Sequence, residues 1–569
     1  MSAEIPKDTF VPAGWRGWSY RMENGLTAGV LALMAVLPLI EILLRKANQP
    51  GITNVGAIVQ HLTLLVGVLG GALAARDRRL LSLAPSTGWI KGQWRMAASV
   101  LSQGWAAGIC VWLCAASVAF VISQKEQGTE LAYGIQRWHV QCALPVGFAV
   151  VAVRLLIGAS SEWRGRIGAF LVAALMLGLG KWAGLNPERW DSPALWLLGL
   201  CAVLGAPVFT IIGGAALILF WGAGEGGAIV ALKHYSLVTN SMLPSIPLFT
   251  LAGYLMAEGG ASKRLIRVFQ ACFSAVRGGP ALVTVLACAF FTSFTGASGV
   301  TILALGGLLM PVLLAARYSE KTSLGLLTSS GSLGLLFPPC LPLILYVIVA
   351  NTSAGAQITL KEMFLAGLGP GLLLVGLTAW WGIRAGPRLS ADRPSFSARE
   401  AGQSIWAAKW ELTVPAVALG ALFSGWATPV EAAAVTAVYA FFTQCVVHRD
   451  LSFRTDLPRV VSECGLLVGG VLLILGVALG FTHWLIDAQI PDVILAWVTE
   501  RIHSKWVFLL AVNVLLLAVG CMMDIFSAIV VVAPILAPIA SQFGVSPLHF
   551  GVIFLANMEL GFLTPPVGM

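Results

Sequence analysis

A polytopic, all-α membrane protein is the fold class this sequence predicts, and three observations predict it. Of 569 residues, 58% are A, V, I, L, M, F, W, Y or C and only 11% are charged, against roughly 25% charged in an ordinary soluble domain. Mean hydropathy is +0.86. The apolar residues form unbroken runs, as at 28–44, 143–158 and 507–519, without the period-2 alternation of an outer-membrane barrel. A soluble fold of this length would have to hide more apolar surface than one core holds. At about 20 residues per span, there is room for roughly fifteen to seventeen helices.

The net charge of +9 does not point to nucleic acid, because of where the charges lie. Arg76, Arg78, Arg79, Lys91 and Arg95 separate two apolar runs. Arg154, Arg164 and Arg166 flank another pair, and Arg384, Arg388, Arg393, Arg399 and Lys409 fill a third gap. Basic clusters in alternate short loops are the positive-inside pattern of an inner or plasma membrane protein. The intervening segments 47–55 and 122–136 carry few charges, as loops on the far side should. No nucleic-acid partner is expected; the lipid bilayer is.

Ten Cys and seven His are scattered, with no CxxC pair, so they read as buried small hydrophobes and dispersed polar groups. No P-loop, GxGxxG or GxSxG stands in a meaningful context. No nucleophile, base and metal-ligand set converges, so neither an enzyme nor a cofactor is expected. The first run passes Glu41 without an A-x-A site and is read as a first span flanked by Arg16 and Arg21, not a removable signal peptide.

Four runs, near 26–44, 56–75, 97–121 and 139–158, predict a first domain over 1–165 with its N-terminus inside. A fifth, 167–184, is expected to cross again within a connecting segment 166–192 and to end in a polar loop, Asn186 to Asp191. Beyond it, 193–569 changes texture: the runs become rich in Gly and Pro. This second domain repeats itself, over about 194–390 and 411–569. Gly334-Leu335-Leu336-Phe337-Pro338-Pro339 returns as Gly561-Phe562-Leu563-Thr564-Pro565-Pro566, an offset of 227 that also carries Pro311 onto Pro538 and Ala297 onto Asp524. Such repeats mark transporters built from two related halves with the site between them.

Each half has two helix breaks. Thr292 to Thr301 is a run of small and hydroxylated residues suited to the tip of a re-entrant hairpin. Ser329-Ser330-Gly331-Ser332-Leu333-Gly334 precedes Pro338-Pro339, where proline deprives carbonyls one turn earlier of helical donors. A broken helix survives in a bilayer only against protein or a water-filled cavity. Uncharged carbonyls and hydroxyls facing one another suit Na⁺, and N-terminal half-helix ends can face an anion. The alternative is that the Gly and Ser merely allow close helix packing.

Asp524 lies inside an apolar run at the second hairpin, either as a functional carboxylate or as the cap of a half-helix. Glu431, after Thr428-Pro429, should open a helix, and Glu559 could brace the second break. Trp138, Trp163, Trp182, Trp196 and Trp221 read as interfacial anchors.

At these residues the sequence resembles the tripartite ATP-independent periplasmic (TRAP) transporters, fused small and large permease subunits in one chain. The second domain carries the resemblance in Ser245 to Gly253, Thr295-Gly296-Ala297-Ser298, Gly334 to Pro339, Ala427 to Ala433, Gly520 to Asp524 and Gly561 to Gly568. The first domain is similar to the four-helix small subunit. The resemblance implies a multi-pass protein of a Gram-negative inner membrane that imports carboxylates, driven by Na⁺ and moving elevator-fashion. It also implies a periplasmic substrate-binding protein as partner. It places Na⁺ near Thr295, Gly296, Ser298, Ser330, Gly331, Gly334 and Pro338 in the first half, and near Gly520, Asp524, Gly561, Thr564 and Pro565 in the second. Substrate is placed near Ser298, Thr301, Asp524 and Ser527. Alternatives are a stand-alone dicarboxylate symporter and a non-transporting assembly subunit.

The sequence departs from the family pattern at Ala297, where Ser is usual, and at Cys340, again in place of Ser; each loses a hydroxyl at the first ion site. The 227 offset sets Met569 opposite Pro342, so the second repeat is expected to be cut short.

Overall fold

The computed structural model describes residues 15–82, 93–182, 187–273, 275–353, 355–387, 396–561 and 563–564. Helices α1 (Trp15–Lys46), α2 (Val55–Arg76), α3 (Gln93–Gln127) and α5 (Ala143–Gly158), the last entered through the short α4 (Arg137–Gln141), occupy the four expected runs. Between α3 and α4 lies a feature the sequence did not suggest. Strands β1 (Glu130–Ala132) and β2 (Ile135–Gln136) pair antiparallel across Tyr133 and Gly134. Both turn residues have positive φ, 52° and 78°, as two-residue hairpins require. Strands this short leave no readable alternation.

The connecting segment holds α6 (Trp163–Trp182) and α7 (Pro187–Val203), followed by α8 (Val208–Gly222) and α9 (Ala228–Val238). The polar loop expected at 186–191 is therefore largely helical. A proline at the first helical position has the right φ and no N–H to leave unpaired, so Pro187 starts a helix where polarity alone suggested a loop.

The rest of the chain runs as α10 (Ser245–Glu258), α11 (Ala261–Phe273), α12 (Gly279–Thr295), α13 (Ser298–Ala315), α14 (Glu320–Ser330), α15 (Leu341–Ser353) and α16 (Leu360–Ala385). Then come α17 (Ala398–Ala407), α18 (Lys409–Phe423) and α19 (Pro429–Phe441), the last continued by a wide turn over Phe442–Val447. The final helices are α20 (Asp456–Asp487), α21 (Ile490–Arg501), α22 (Lys505–Met522), α23 (Ile525–Val531), α24 (Ala533–Gln542) and α25 (Pro547–Gly561). Among the described residues nine helices are long and apolar enough to cross a membrane, or up to eleven if two bent pairs each count as one span. That is fewer than the fifteen to seventeen the length allows. The difference goes into over-long helices such as α3 and α20, into half-span hairpin legs, and into short helices such as α11 and α17.

The 227 offset carries the bounds of α12 onto 506–522, those of α13 onto 525–542 and the start of α14 onto 547. Helices α22, α23 with α24, and α25 begin or end within one residue of those positions. The two halves differ at one point: α13 runs on past Pro311, whereas α23 and α24 are bent 56° apart. Pro534, whose counterpart is Gly307, removes a backbone donor there.

The halves are also inverted. Helix α20 is 32 residues long, about 48 Å at 1.5 Å per residue. Arg264 of α11 pairs with Asp450, just before its start, while α21 follows its far end. Thus α11 and α21, related by the offset, lie at opposite ends.

Helix α20 is also where the first domain docks. A Cβ on Gly469 would overlap the backbone of Gly70 and Gly71, and one on Gly70 would overlap that of Gly465. Gly465 and Gly469 form a small-xxx-small ridge that lets α2 approach backbone to backbone. Farther along, Gly476 receives His234 and Gly480 receives Val230 of α9.

Two polar ties fix neighbouring elements. Thr428 and Glu431 form a reciprocal capping box at the start of α19, and Glu431 Oε1 accepts from Arg45 of α1 at 2.6 Å. Glu431 thus opens a helix as its sequence context implied, and also joins the two domains. Elsewhere Arg264 donates to buried Glu411 of α18 at 2.7 Å, to Asp450 at 2.7 Å and to Gln444 at 3.1 Å. Partial burial would raise the Asp450 carboxyl. The Arg264 hydrogen bond and charge, the Gly260 N–H and His448 outweigh it and hold that carboxyl below its usual range.

Candidate ion and substrate site

The first hairpin reverses at Gly296 and Ala297. Gly296 has φ 64°, and its N–H still bonds Thr292 O at 2.9 Å. A left-handed residue closing a helix is most easily glycine, and a Cβ here would also press to 2.7 Å from Leu341 Cβ. Ala297, extended at φ −138°, leads into α13. The reversal so expected is present.

Three hydroxyls cluster at this tip, and one of them, Thr292, ties it to the break after α14. Thr292 Oγ1 lies 2.8 Å from Gly331 O, 2.9 Å from Cys288 O and 2.9 Å from Thr301 Oγ1. Thr295 Oγ1 and Thr301 Oγ1 are 2.9 Å apart, and both approach Ala297 O at 3.4 Å. One hydroxyl proton on Thr292 cannot serve two carbonyls and a neighbouring hydroxyl at once. The result is a buried, uncharged cluster rich in oxygen lone pairs. Sequence reasoning named Thr295 and Thr301 as site residues and counted Thr292 only as the start of the hairpin run, yet Thr292 is the residue that bridges the hairpin and the break. A helical Thr commonly bonds the carbonyl four residues back, so nothing in its spacing marked it.

The break itself is a 3₁₀ turn over Leu333–Leu336 followed by Pro338-Pro339, after which α15 leaves at 45°. Gly334 is there for close approach: a Cβ would sit 2.5 Å from Ser293 N and from Thr292 Cβ. Gly331 makes its carbonyl available to Thr292. Ser330 is fully buried and its hydroxyl has no partner among the described residues. Ser298 is 8% exposed at the first turn of α13. Cys340 Sγ, standing where a serine hydroxyl was expected, approaches Thr292 O at 4.0 Å.

The second half repeats the packing with different chemistry. Gly561, the counterpart of Gly334, stacks on Gly520, the counterpart of Ser293, so closely that a Cβ on Gly520 would come 2.8 Å from Gly561 Cα. Asp524 is the N-cap of α23: Oδ2 accepts from Phe526 N at 3.0 Å and Ser527 N at 3.1 Å, and Oδ1 accepts from Ser527 Oγ at 2.6 Å. Of the two roles left open for this carboxylate, the capping geometry is present; a cap can still present its charge to a cation. Thr564 Oγ1 bonds Gly561 O at 2.7 Å and lies 2.7 Å from Cys521 Sγ. Pro565 lies outside the described residues. Asn557, at the position of Ser330, bonds Asn513 Oδ1 at 2.7 Å. Glu559 is 2% exposed, and neither carboxylate oxygen has a partner among the described residues. Helix α15 packs against both α12 and α23, so the two hairpins flank it.

The described residues thus bring together two half-helix tips and two helix breaks around α15. Residues 195–569 match the family described as tripartite ATP-independent periplasmic transporter, DctM component, and residues 34–165 match the corresponding DctQ component. The chain belongs to the TRAP transporters. It joins both membrane components in one polypeptide, and it is a permease of a binding-protein-dependent transporter, not an enzyme.

Relatives of this TRAP permease include the C4-dicarboxylate TRAP transporter large permease protein DctM of Pseudomonas aeruginosa. That protein is 37% identical over 342 residues, covering 60% of this chain and 78% of the relative. The isethionate TRAP transporter permease protein DctMQ of Oleidesulfovibrio alaskensis is 33% identical over 434 residues, covering 75% and 67%. The sialic acid TRAP transporter large permease protein SiaM of Vibrio cholerae is 31% identical over 368 residues, covering 64% and 84%. TRAP permeases reside in the inner membrane, and the helices of this chain cross it many times.

Proposed function

We propose that this chain is the membrane component of a Na⁺-coupled importer of organic acids, receiving its substrate from a periplasmic binding protein. The observation that carries the reading is the inverted repeat with a hairpin tip and a helix break juxtaposed in each half. The first half offers the Thr292, Thr295 and Thr301 hydroxyls with the Gly331 carbonyl. The second half offers Asp524, with Thr564 and the Gly561 carbonyl nearby. Asp524 has no cationic partner among the described residues. A carboxylate at membrane depth needs a countercharge, and Na⁺ supplies one.

The N-terminal end of α13, at Ser298, has no side-chain cap, so its first N–H groups can face an anion. At α23 the Phe526 and Ser527 N–H groups are taken by Asp524, and substrate would meet Asp524 and the Ser527 hydroxyl. Those are the positions proposed for the substrate. Relatives named for C4-dicarboxylates, isethionate and sialic acid support an anionic solute. The glycine seam holding α2 to α20 supports a static frame, against which the hairpin-bearing helices slide as the elevator.

The test is uptake of radiolabelled candidate acids into proteoliposomes containing the full chain, with and without the cognate binding protein. Accumulation is expected only with it. Equal uptake in its absence would leave a stand-alone symporter, and no uptake of any candidate with it would leave an assembly subunit.

A further inference from the structure

Away from the hairpins, the end of α2, the start of α3, the end of α5 and the turn between α7 and α8 border a half-open hollow of about 360 Å³, with Arg78, Ser82 and Arg95 exposed at its rim. Arg78, Arg95 and Arg154 line it, with Ser82 and Gln103 between them. The charges here do not balance. Arg154 is committed to Glu23 and to Ala72 O, Arg76 to Glu23 at 3.0 Å and Asp77 at 2.9 Å, and Arg79 to Glu463 at 2.6 Å. Two arginines thus share two carboxylates and a third has its own. Arg78 and Arg95 are left over: neither guanidinium has a hydrogen bond or ion pair among the described residues.

The Ser82 hydroxyl and the Gln103 amide are likewise without partners there. Arg78 is held at φ 56° in the turn that closes α2, beside the mouth. Positive-inside placement alone explains basic residues on this face. It does not explain two unpaired guanidinium groups and two unpaired polar side chains lining one hollow between helices.

We propose that this cavity binds a phosphate-bearing anion, supplied as the headgroup of an anionic phospholipid of the cytoplasmic leaflet. The helix ends that form it carry the basic clusters that the positive-inside rule assigns to the cytoplasmic face, which sets the cavity at headgroup depth. Basic hollows between transmembrane helices on that side are suited to anionic headgroups, and guanidinium groups match phosphate oxygens two at a time. The position gives the lipid a structural effect. The turn closing the cavity is joined to the segment after α2 by Val208 N bonding Leu81 O at 2.8 Å and by the Ser82–Pro207 bridge. A bound headgroup would clamp the small-subunit helices to the chain entering the large one. The inference does not depend on Na⁺ coupling, and its test needs no transport.

The full chain, purified in detergent and stripped of lipid, would be melted with added phosphatidylglycerol, phosphatidylcholine or inorganic phosphate. Phosphatidylglycerol is expected to raise Tm saturably and phosphatidylcholine not to. Arg78→Gln and Arg95→Gln should each weaken half-saturation about fivefold, while Arg399→Gln, on α17, should leave it unchanged. Equal shifts from the two lipids, or an undiminished shift in the double variant, would overturn the proposal. A full shift from inorganic phosphate, with nothing added by the lipid, would overturn the lipid assignment in favour of a soluble anion. Native mass spectrometry of the unaltered chain needs no variant. Preferential retention of phosphatidylglycerol over phosphatidylcholine is expected, and indifference would contradict it.

Discussion

Asp524→Asn is expected to lower Na⁺-dependent uptake at least about tenfold, the factor that 1.4 kcal/mol makes, while leaving the protein folded. Asparagine caps a helix as well as aspartate does, so its carbonyl oxygen can still accept from Phe526 N and Ser527 N. The charge is lost, and with it the Oδ1 acceptor of the Ser527 hydroxyl, which then faces an amide donor. Asp524→Ala removes both functions and strands two backbone donors and the Ser527 hydroxyl, a loss of about 1–3 kcal/mol for each buried group left unpaired. The alanine variant should therefore melt lower than the asparagine variant, with uptake no better. The comparison separates cap from counter-charge: an asparagine variant with unaltered Na⁺ titration of uptake would reduce Asp524 to a cap.

Thr292→Val should be the most damaging isosteric change in the first half. It keeps the shape of the side chain and removes the oxygen that links the hairpin tip to Gly331 O. That carbonyl is then buried without its hydroxyl partner, at about 1–3 kcal/mol, and the lone-pair cluster loses its centre. Uptake is expected to fall about tenfold or more together with Tm, and Thr292→Ser, which restores the hydroxyl, should recover most of both. A valine variant with normal uptake and melting would show that the cluster neither holds an ion nor steadies the break.

These two residues mark how far the sequence could be read. The fold class followed from long apolar runs, and the repeat followed from proline and glycine landmarks whose spacing survives as helix ends. Gly334 and Gly561 were found as a pair because both sit in the same short motif, and they do pack alike. What could not be read was contact across distance. Thr292 meets Gly331 only because the hairpin folds back on the break 39 residues later, and its own surroundings look like those of any helical threonine. The docking of α2 on α20 was equally hidden, since Gly70 and Gly469 are ordinary glycines until their backbones meet.

Local chemistry misled in two places. Polar residues at 186–191 suggested a loop where Pro187 starts a helix. The symmetry of α13 with its counterpart gave no hint that Pro534 would bend the latter. The halves are thus alike in path and unlike in side chains: the tip of the first carries clustered hydroxyls, and that of the second carries a carboxylate.

The central claim is that these paired breaks couple a Na⁺ gradient to solute entry. It is tested most directly in proteoliposomes holding the full chain, with substrate-loaded binding protein outside and an inward Na⁺ gradient as the only driving force. Accumulation of the solute above its outside concentration, collapsing when Na⁺ is equalised or replaced by K⁺, is the predicted result. Uptake that is indifferent to Na⁺ and follows an imposed pH gradient instead would contradict it.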